Sequence, residues 1–262
     1  MILAIDVGNT NTVLGVFADD SSKTIEAWRL SSNRERTADE WRGLLHPILN
    51  GYLADRRIHG AIIGSVVPAV TGPIVTLCRG WLRVDPLVLS SQLDLGISLR
   101  QDHPNEVGAD RIANAVAAHT LAGGAAVIVD LGTATKIEAI DSSGAFLGGV
   151  IAPGLGLSRD ALAQRAARLF AVDLVPPVRA IGRNTLEAVQ SGVVLGHARM
   201  VEGMVAATLA EMNEPAELFL TGGHAGAILT SVELALRHEP DLTLLGLKMI
   251  YDRNKPGIRS AG

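Results

Sequence analysis

The sequence has little cysteine, few aromatics and no excess of one charge, and each shortage narrows what the chain can be. Its 262 residues hold one cysteine, Cys78, in the apolar run PIVTLCRGWL. A lone cysteine forms no internal disulfide, which fits a reducing cytoplasm and a thiol buried as a small hydrophobe. Lys and Arg number 23 against 27 Asp and Glu, a net charge of −4. With no basic patch, neither nucleic acid nor an anionic membrane is an expected partner. The longest uncharged run, Gly60 to Cys78, is interrupted by Gly, Pro, Ser and Thr. It reads as a buried strand, a turn at Pro68 and a helix rather than a membrane span. Asp6 stands where a secretion signal carries basic residues, so no signal peptide is expected. With aromatics at 3%, the core must be aliphatic, which suits strands covered by Ala-rich helices, the α/β class.

What is present begins with MILAIDVGNTNTVLGVF. Within it, Asp6-Val7-Gly8-Asn9-Thr10-Asn11-Thr12 ends an apolar strand in a carboxylate, a glycine and small polar residues. Gly and Asn suit a tight turn, and the same residues suit a pocket for nucleotide phosphates. The chain then reads as strand, hairpin, strand, followed by a helix whose Thr37 and Glu40 have capping-box spacing. A buried strand AIIGSVV, a helix through Trp81, a short strand PLVLS and the helix VGADRIANAVAAHTLA follow.

After Gly123-Gly124 the pattern restarts. Asp130-Leu131-Gly132-Thr133-Ala134-Thr135-Lys136 repeats the first motif at a shift of 124 (130 minus 6), within the same order of elements. A duplicated domain is expected. A third site, Leu218 to Ala225, runs a strand into Gly222-Gly223. This is either a tight strand-to-helix turn or a close approach to a flat ligand such as adenine.

A magnesium-bound triphosphate needs backbone N–H groups facing its oxygens and a carboxylate near the metal. Small residues after Gly8 let the backbone approach, Asn9, Thr10, Asn11 and Thr12 add side-chain donors, and Asp6 is expected to act on magnesium through bound water. Two such hairpins facing across a cleft, with a glycine pair on the adenine side, describe the actin-like ATPase and sugar-kinase architecture. The other phosphate and metal motifs, G-x-x-x-x-G-K-[ST], G-x-G-x-x-G after a strand and H-E-x-x-H, are missing. The seven histidines show no metal-ligand spacing. The proton acceptor that phosphoryl transfer needs has a candidate in Asp110, within Glu106-Val107-Gly108-Ala109-Asp110-Arg111. An acid in the first turn of a helix also has a purely structural use with the helix dipole.

Eight blocks, in order IDVGNTNTVLGVF, SVVP, NEVGADRIANAVAAH, VIVDLGTAT, GAFLGGVIAPGL, IGRNTLEAVQSGV, TGGHA and LTLLGLKMIYDRN, span the chain to about Asn254. Together the sequence resembles the type III pantothenate kinases. The resemblance implies two tandem ribonuclease H-like (actin-like ATPase) domains, 1–117 and 118–262, with a nucleotide cleft between them. It implies transfer of the ATP γ-phosphate to pantothenate, giving 4′-phosphopantothenate in the first step of coenzyme A synthesis. It further implies a cytoplasmic homodimer that uses Mg2+ and a monovalent cation, K+ or NH4+. By the same resemblance Asp6, Val7, Gly8, Asn9, Thr10, Asn11, Thr12 and Val13 match the ATP phosphate segment, and Thr133 a second ATP contact. Gly108, Ala109, Asp110 and Arg111 match the pantothenate loop, with Asp110 the proton acceptor. Asp130 matches the monovalent-cation ligand, and Thr185 a residue on the substrate side.

Physical chemistry permits these roles beside plainer ones. Arg111 can grip a carboxylate by paired donors or form a structural salt bridge. Thr185 lies in Asn184-Thr185-Leu186-Glu187, itself a helix-cap pattern. Gly192, Gly196 and Gly203 on the following helix suit a dimer seam. Two positions depart from the family pattern. Gln101 stands where a tyrosine of the pantothenate pocket is usual, and Lys136 ends G-T-A-T-T, where it is expected to point to solvent from the second strand. The alternatives are a family member that binds without catalysing, and an actin-like kinase for another small hydroxylated acceptor.

Overall fold

The computed structural model describes residues 1–53, 57–165 and 171–255. The strands are β1 (Ile2–Val7), β2 (Asn11–Phe17), β3 (Thr24–Ser31), β4 (Gly60–Ser65), β5 (Leu87–Val88), β6 (Ser98–Leu99), β7 (Ala126–Leu131), β8 (Ala134–Ile140), β9 (Ala145–Pro153), β10 (Glu217–Thr221) and β11 (Arg237–His238). The helices are α1 (Ala38–Leu53), α2 (Pro68–Leu77), α3 (Ala109–Ala122), α4 (Leu155–Arg165), α5 (Thr185–Gln190), α6 (Gly196–Met212), α7 (Ala225–Ile228) and α8 (Leu242–Asn254). They form two compact units, one of Met1–Ser98, Asp102–Ala117 and the chain from Asp241, the other of Leu99–Gln101 and Ala118–Pro240.

The first unit is built on a sheet of order β3-β2-β1-β4-β5. β1 pairs antiparallel with β2 and parallel with β4. Its apolar run buries both faces, as a central strand with a parallel neighbour must. Leu3, Ile5 and Val7 join Trp41, Leu45 and Leu49 of α1 and Val70, Ile74 and Leu77 of α2 in one core. α1 starts as its sequence asks: Thr37 N–H donates to Glu40 Oε2 at 2.8 Å, and Glu40 N–H returns to Thr37 Oγ1 at 3.3 Å. Pro68, expected as a turn, opens α2 instead, where its missing N–H costs nothing.

The second unit repeats the plan. Its sheet has the order β11-β10-β7-β8-β9-β6, so β9-β8-β7-β10-β11 reproduces the first sheet strand for strand. The repeat differs at the turn. Val7 pairs with Thr12 and Asp6 with Val13, whereas Leu131 pairs with Thr135 and Asp130 with Lys136. The second turn is one residue shorter, so the uniform shift of 124 slips by one beyond it. Thr12 corresponds in register to Thr135, and both are buried.

The expected second domain, 118–262, also differs at its end. α8 packs on β1, β2 and β4 and belongs to the first unit. The reason is the second face of β1, which α1 and α2 leave uncovered. α8 supplies Leu244, Leu247, Ile250 and Tyr251, all buried. In the second unit, Thr185–Met212 runs as one helix of 28 residues, long and apolar enough by length and composition to cross a membrane. Its Val189, Val193, Val194, Ala198, Val201 and Val205 are part of that unit's core with Val127, Val129 and Ile137, which accounts for its apolar character.

Candidate active site

In the first unit the β1–β2 turn projects from the carboxyl end of β1, the edge at which α/β sheets gather ligands. Asp6 is half-buried there and Val7 fully buried. The Gly8 N–H donates to the Asn11 carbonyl at 3.0 Å and closes the turn. The Gly8 N–H is therefore committed inside the hairpin. Thr12 Oγ1 lies 2.8 Å from Ser32 Oγ, and Ser32 N–H donates to the Thr10 carbonyl at 2.9 Å. These bonds hold the tip open, with Asn9 and Thr10 exposed and Asn11 and Val13 half-buried. Arg34, which the sequence reading passed over, donates to Asn9 Oδ1 at 3.2 Å and brings a cation to this tip.

The same edge carries the start of α3. Asp6 is in parallel register with Gly64 of β4. A Cβ built on Gly64 would lie 3.6 Å from the Ala109 Cβ, so α3 begins directly over that strand. Gly108 precedes it in a crowded spot, where a Cβ would come within 2.6 Å of Asp110 Oδ1 and 3.4 Å of Val66 Cγ1. The Asp110 carboxylate thus folds back over the Gly108 backbone, and a side chain at 108 would make it shift. A cavity of about 660 Å³ lies alongside, lined by Ser65, Val66, Ser90, Asn105, Gly108 and Ala109 among others. Asp110 and Arg111, both half-buried, follow on the first turn of α3 and are not among its lining residues.

In the second unit Gly132 N–H closes the shorter turn on the Ala134 carbonyl at 3.1 Å, leaving Thr133 exposed at the tip. The register places Asp130 and Lys136 directly across from each other. Lys136 Nζ stands 2.6 Å from Asp130 Oδ2, with side chains only 12% and 11% exposed. The expectation that Lys136 points to solvent is thus corrected: the shortened turn puts it on the face of Asp130. The monovalent cation expected at Asp130 does not fit these residues either. Two unit charges 4 Å apart repel by about 4 kcal/mol at an effective dielectric of 20, so a second cation at the same carboxylate faces a steep penalty.

Nearby, Thr135 Oγ1 lies 2.7 Å from His197 Nε2, and both residues are buried. Burial, with His224 as a second cause, holds the His197 imidazolium below its ordinary value of 6.5. Gly222 has φ +97°, and a Cβ there would come within 2.5 Å of the Leu131 backbone. The turn alone therefore requires this glycine. Thr185 is exposed, and the cap of its helix is made by its neighbours. Asn184 Oδ1 accepts from Glu187 N–H at 2.9 Å and Glu187 Oε2 accepts from Arg183 N–H at 2.8 Å. Thr185 lines a shallow groove of about 540 Å³ with Leu162, Gly182 and Arg183. Gln101 lies against β9, its Nε2 2.6 Å from where a Cβ on Gly148 would sit.

A five-strand unit present twice, each copy with an Asp-x-Gly hairpin at the end of its central strand, defines the two-domain ATPase fold shared with sugar kinases. Solved structures agree. A Campylobacter jejuni protein assigned to the Baf family of transcriptional activators matches with a TM-score of 0.61 at 19% identity, covering 96% of this chain and 98% of that one. A Sinorhizobium meliloti protein assigned as a 2-dehydro-3-deoxygalactonokinase gives 0.55 at 15% identity, covering 98% and 100%. The model of the type III pantothenate kinase family matches residues 2–207. The type III pantothenate kinase of Moorella thermoacetica is 45% identical over 255 residues, 97% of this chain and 100% of that protein. That of Roseiflexus sp. (strain RS-1) is 43% identical over 256 residues, with the same coverage of 97% and 100%. The chain belongs to the type III pantothenate kinase family.

Proposed function

We propose that this protein phosphorylates pantothenate, moving the ATP γ-phosphate to its hydroxyl to give 4′-phosphopantothenate, the first step of coenzyme A synthesis. The observation that carries this reading is the meeting, at one sheet edge, of the Asp6 hairpin and the Gly108–Arg111 helix start. Phosphoryl transfer asks a protein mainly for positioning and charge neutralisation. In this reading Asp6 to Val13 hold the phosphates, Thr133 makes a second ATP contact, and the Gly222-Gly223 turn lies on the base side.

Magnesium suits the first hairpin, because it keeps several waters and binds through one or two carboxylates plus substrate phosphates. Among the described residues no group of three or more His, Cys, Asp or Glu forms a metal cage. Asp6 would hold the ion through water, and the ion would neutralise phosphate charge. Gly108 and Ala109 let the acceptor approach the backbone, Asp110 takes the proton of its attacking hydroxyl, and Arg111 pairs with its carboxylate by two donors. Thr185 serves the substrate side.

The working form is a cytoplasmic homodimer. Leu157, Leu162, Ile181 and Leu186 of the second unit stand exposed, apolar side chains that self-association would cover. The test is a coupled ADP-release assay over a panel of hydroxylated acceptors. Turnover with pantothenate supports the proposal. Turnover only with another acceptor makes the protein a different small-molecule kinase, and none with any makes it a binding protein.

A further inference from the structure

We propose that the Lys136 ammonium is a built-in monovalent cation, so that this kinase needs no potassium or ammonium. The inference rests on the kinase reading above and departs from what family resemblance implies for Asp130.

Several observations converge on Lys136. It is the direct cross-strand partner of Asp130 in the β7–β8 hairpin. Its Nζ lies 2.6 Å from Asp130 Oδ2, a charge-assisted hydrogen bond between side chains almost wholly withdrawn from solvent. On the other side of β7, Thr221 of β10 is in register with Asp130, and both residues are buried. Glu138, two residues beyond Lys136 on the same strand and face, is fully buried as well. A lysine placed here puts one positive charge among buried carboxylates, with a substituted ammonium group where ammonium ion itself would serve.

The chemical consequence is one of tethering. A free cation must be recruited from solution, and its occupancy follows its concentration. A cation carried on a cross-strand side chain is present at every salt concentration, and its charge offsets the negative charge that gathers with phosphates. Lys136 is therefore a positioning residue for charge, acting through Asp130.

The test is a salt series on the whole protein. Pantothenate phosphorylation by wild type in choline chloride should stay within about twofold of that in KCl or NH4Cl at equal ionic strength. In Lys136→Thr, turnover in choline chloride should fall at least about tenfold and return in KCl or NH4Cl, and its thermal midpoint should rise with KCl while that of wild type does not. Thallium-205 NMR gives a readout independent of catalysis: saturable Tl+ binding is expected in Lys136→Thr and not in wild type. Activation of wild type by KCl of about tenfold or more, or saturable Tl+ binding to wild type, overturns the inference. So does a folded Lys136→Thr that ignores all three salts. If the variant does not fold, the wild-type salt series and Tl+ titration decide alone. Absence of phosphorylation in every salt would instead sink the kinase reading, and the Tl+ result would still stand.

Discussion

Asp6 and Gly64 are register partners on parallel strands, and Ala109, at the start of α3, lies over Gly64, its Cβ 3.6 Å from where a Cβ on that glycine would sit. One sheet edge thus joins an acidic hairpin to the helix that carries Asp110. In the proposed reaction the two tasks fall to separate elements, Asp6 on the nucleotide side and Asp110 on the acceptor side.

Asp6→Asn keeps the shape of the side chain and removes its charge. The expected outcome is weaker use of magnesium-ATP, seen as a raised KM for ATP or a raised magnesium requirement, with pantothenate binding by calorimetry nearly unchanged. Equal loss of both ligands would assign Asp6 to the architecture of the edge rather than to the metal.

Asp110→Asn removes the proposed proton acceptor without changing size. General-base contributions are commonly 10²–10⁴-fold, so kcat should fall by about that much with KM for pantothenate little changed. Retained turnover would leave Asp110 as a first-turn acid whose use is the helix dipole, worth about 0.3–1 kcal/mol.

The fold was legible where local chemistry and global pattern agree. The Thr37–Glu40 box, the apolar central strands and the repeated strand order all rest on short-range spacing that a sequence displays. Lys136 escaped because its direction depends on turn length. Alternation along a strand says which residues share a face but not which face is covered, and the turn, one residue shorter than the first, sets Lys136 across from Asp130. α8 escaped for another reason: it buries residues around most of its surface, so its pattern names no particular sheet. At the site, the residue types near Asp6 could be read, but the commitment of the Gly8 N–H to its own turn could not, since that is a property of closed geometry.

Cys78 lies in the core behind α2 and is fully buried, and burial pushes its thiol up to about 12. Thiolate, the reactive form, is then scarce at neutral pH. The native protein should show no fast reaction with a thiol reagent such as DTNB, and one thiol should appear on unfolding in guanidinium. Prompt native-state labelling would mean that this core opens.

Gly196→Leu tests the proposed dimer. The nearest atom to a Cβ at Gly196 is the Ser191 carbonyl oxygen at 3.9 Å, and at Gly192 and Gly203 nothing lies within 4 Å. A Cβ at 196 therefore meets no clash within its own chain, and an unchanged fold would assign a lost dimer to a partner contact. Light scattering should show loss of the dimer with the circular dichroism spectrum unchanged. A variant that stays dimeric moves the seam away from this face.

His197 makes stability depend on pH in a stated direction. Its imidazolium is held below 6.5, first by burial and then by His224, so the folded state resists protonation more than the unfolded state does. Above pH 6.5 both states are neutral and the Thr135–His197 contact contributes fully. As pH falls below 6.5 the unfolded chain takes up its proton first, and stability declines until the depressed folded value is passed. His197→Gln removes the titration and leaves a group able to bond Thr135, at a cost of about 1 kcal/mol for an imperfect contact. Urea unfolding at pH 7.5, 6.5 and 5.5 should therefore find wild type losing stability with acid more steeply than His197→Gln. Parallel declines in the two proteins would show that other groups govern the acid limb and that His197 titrates alike in both states.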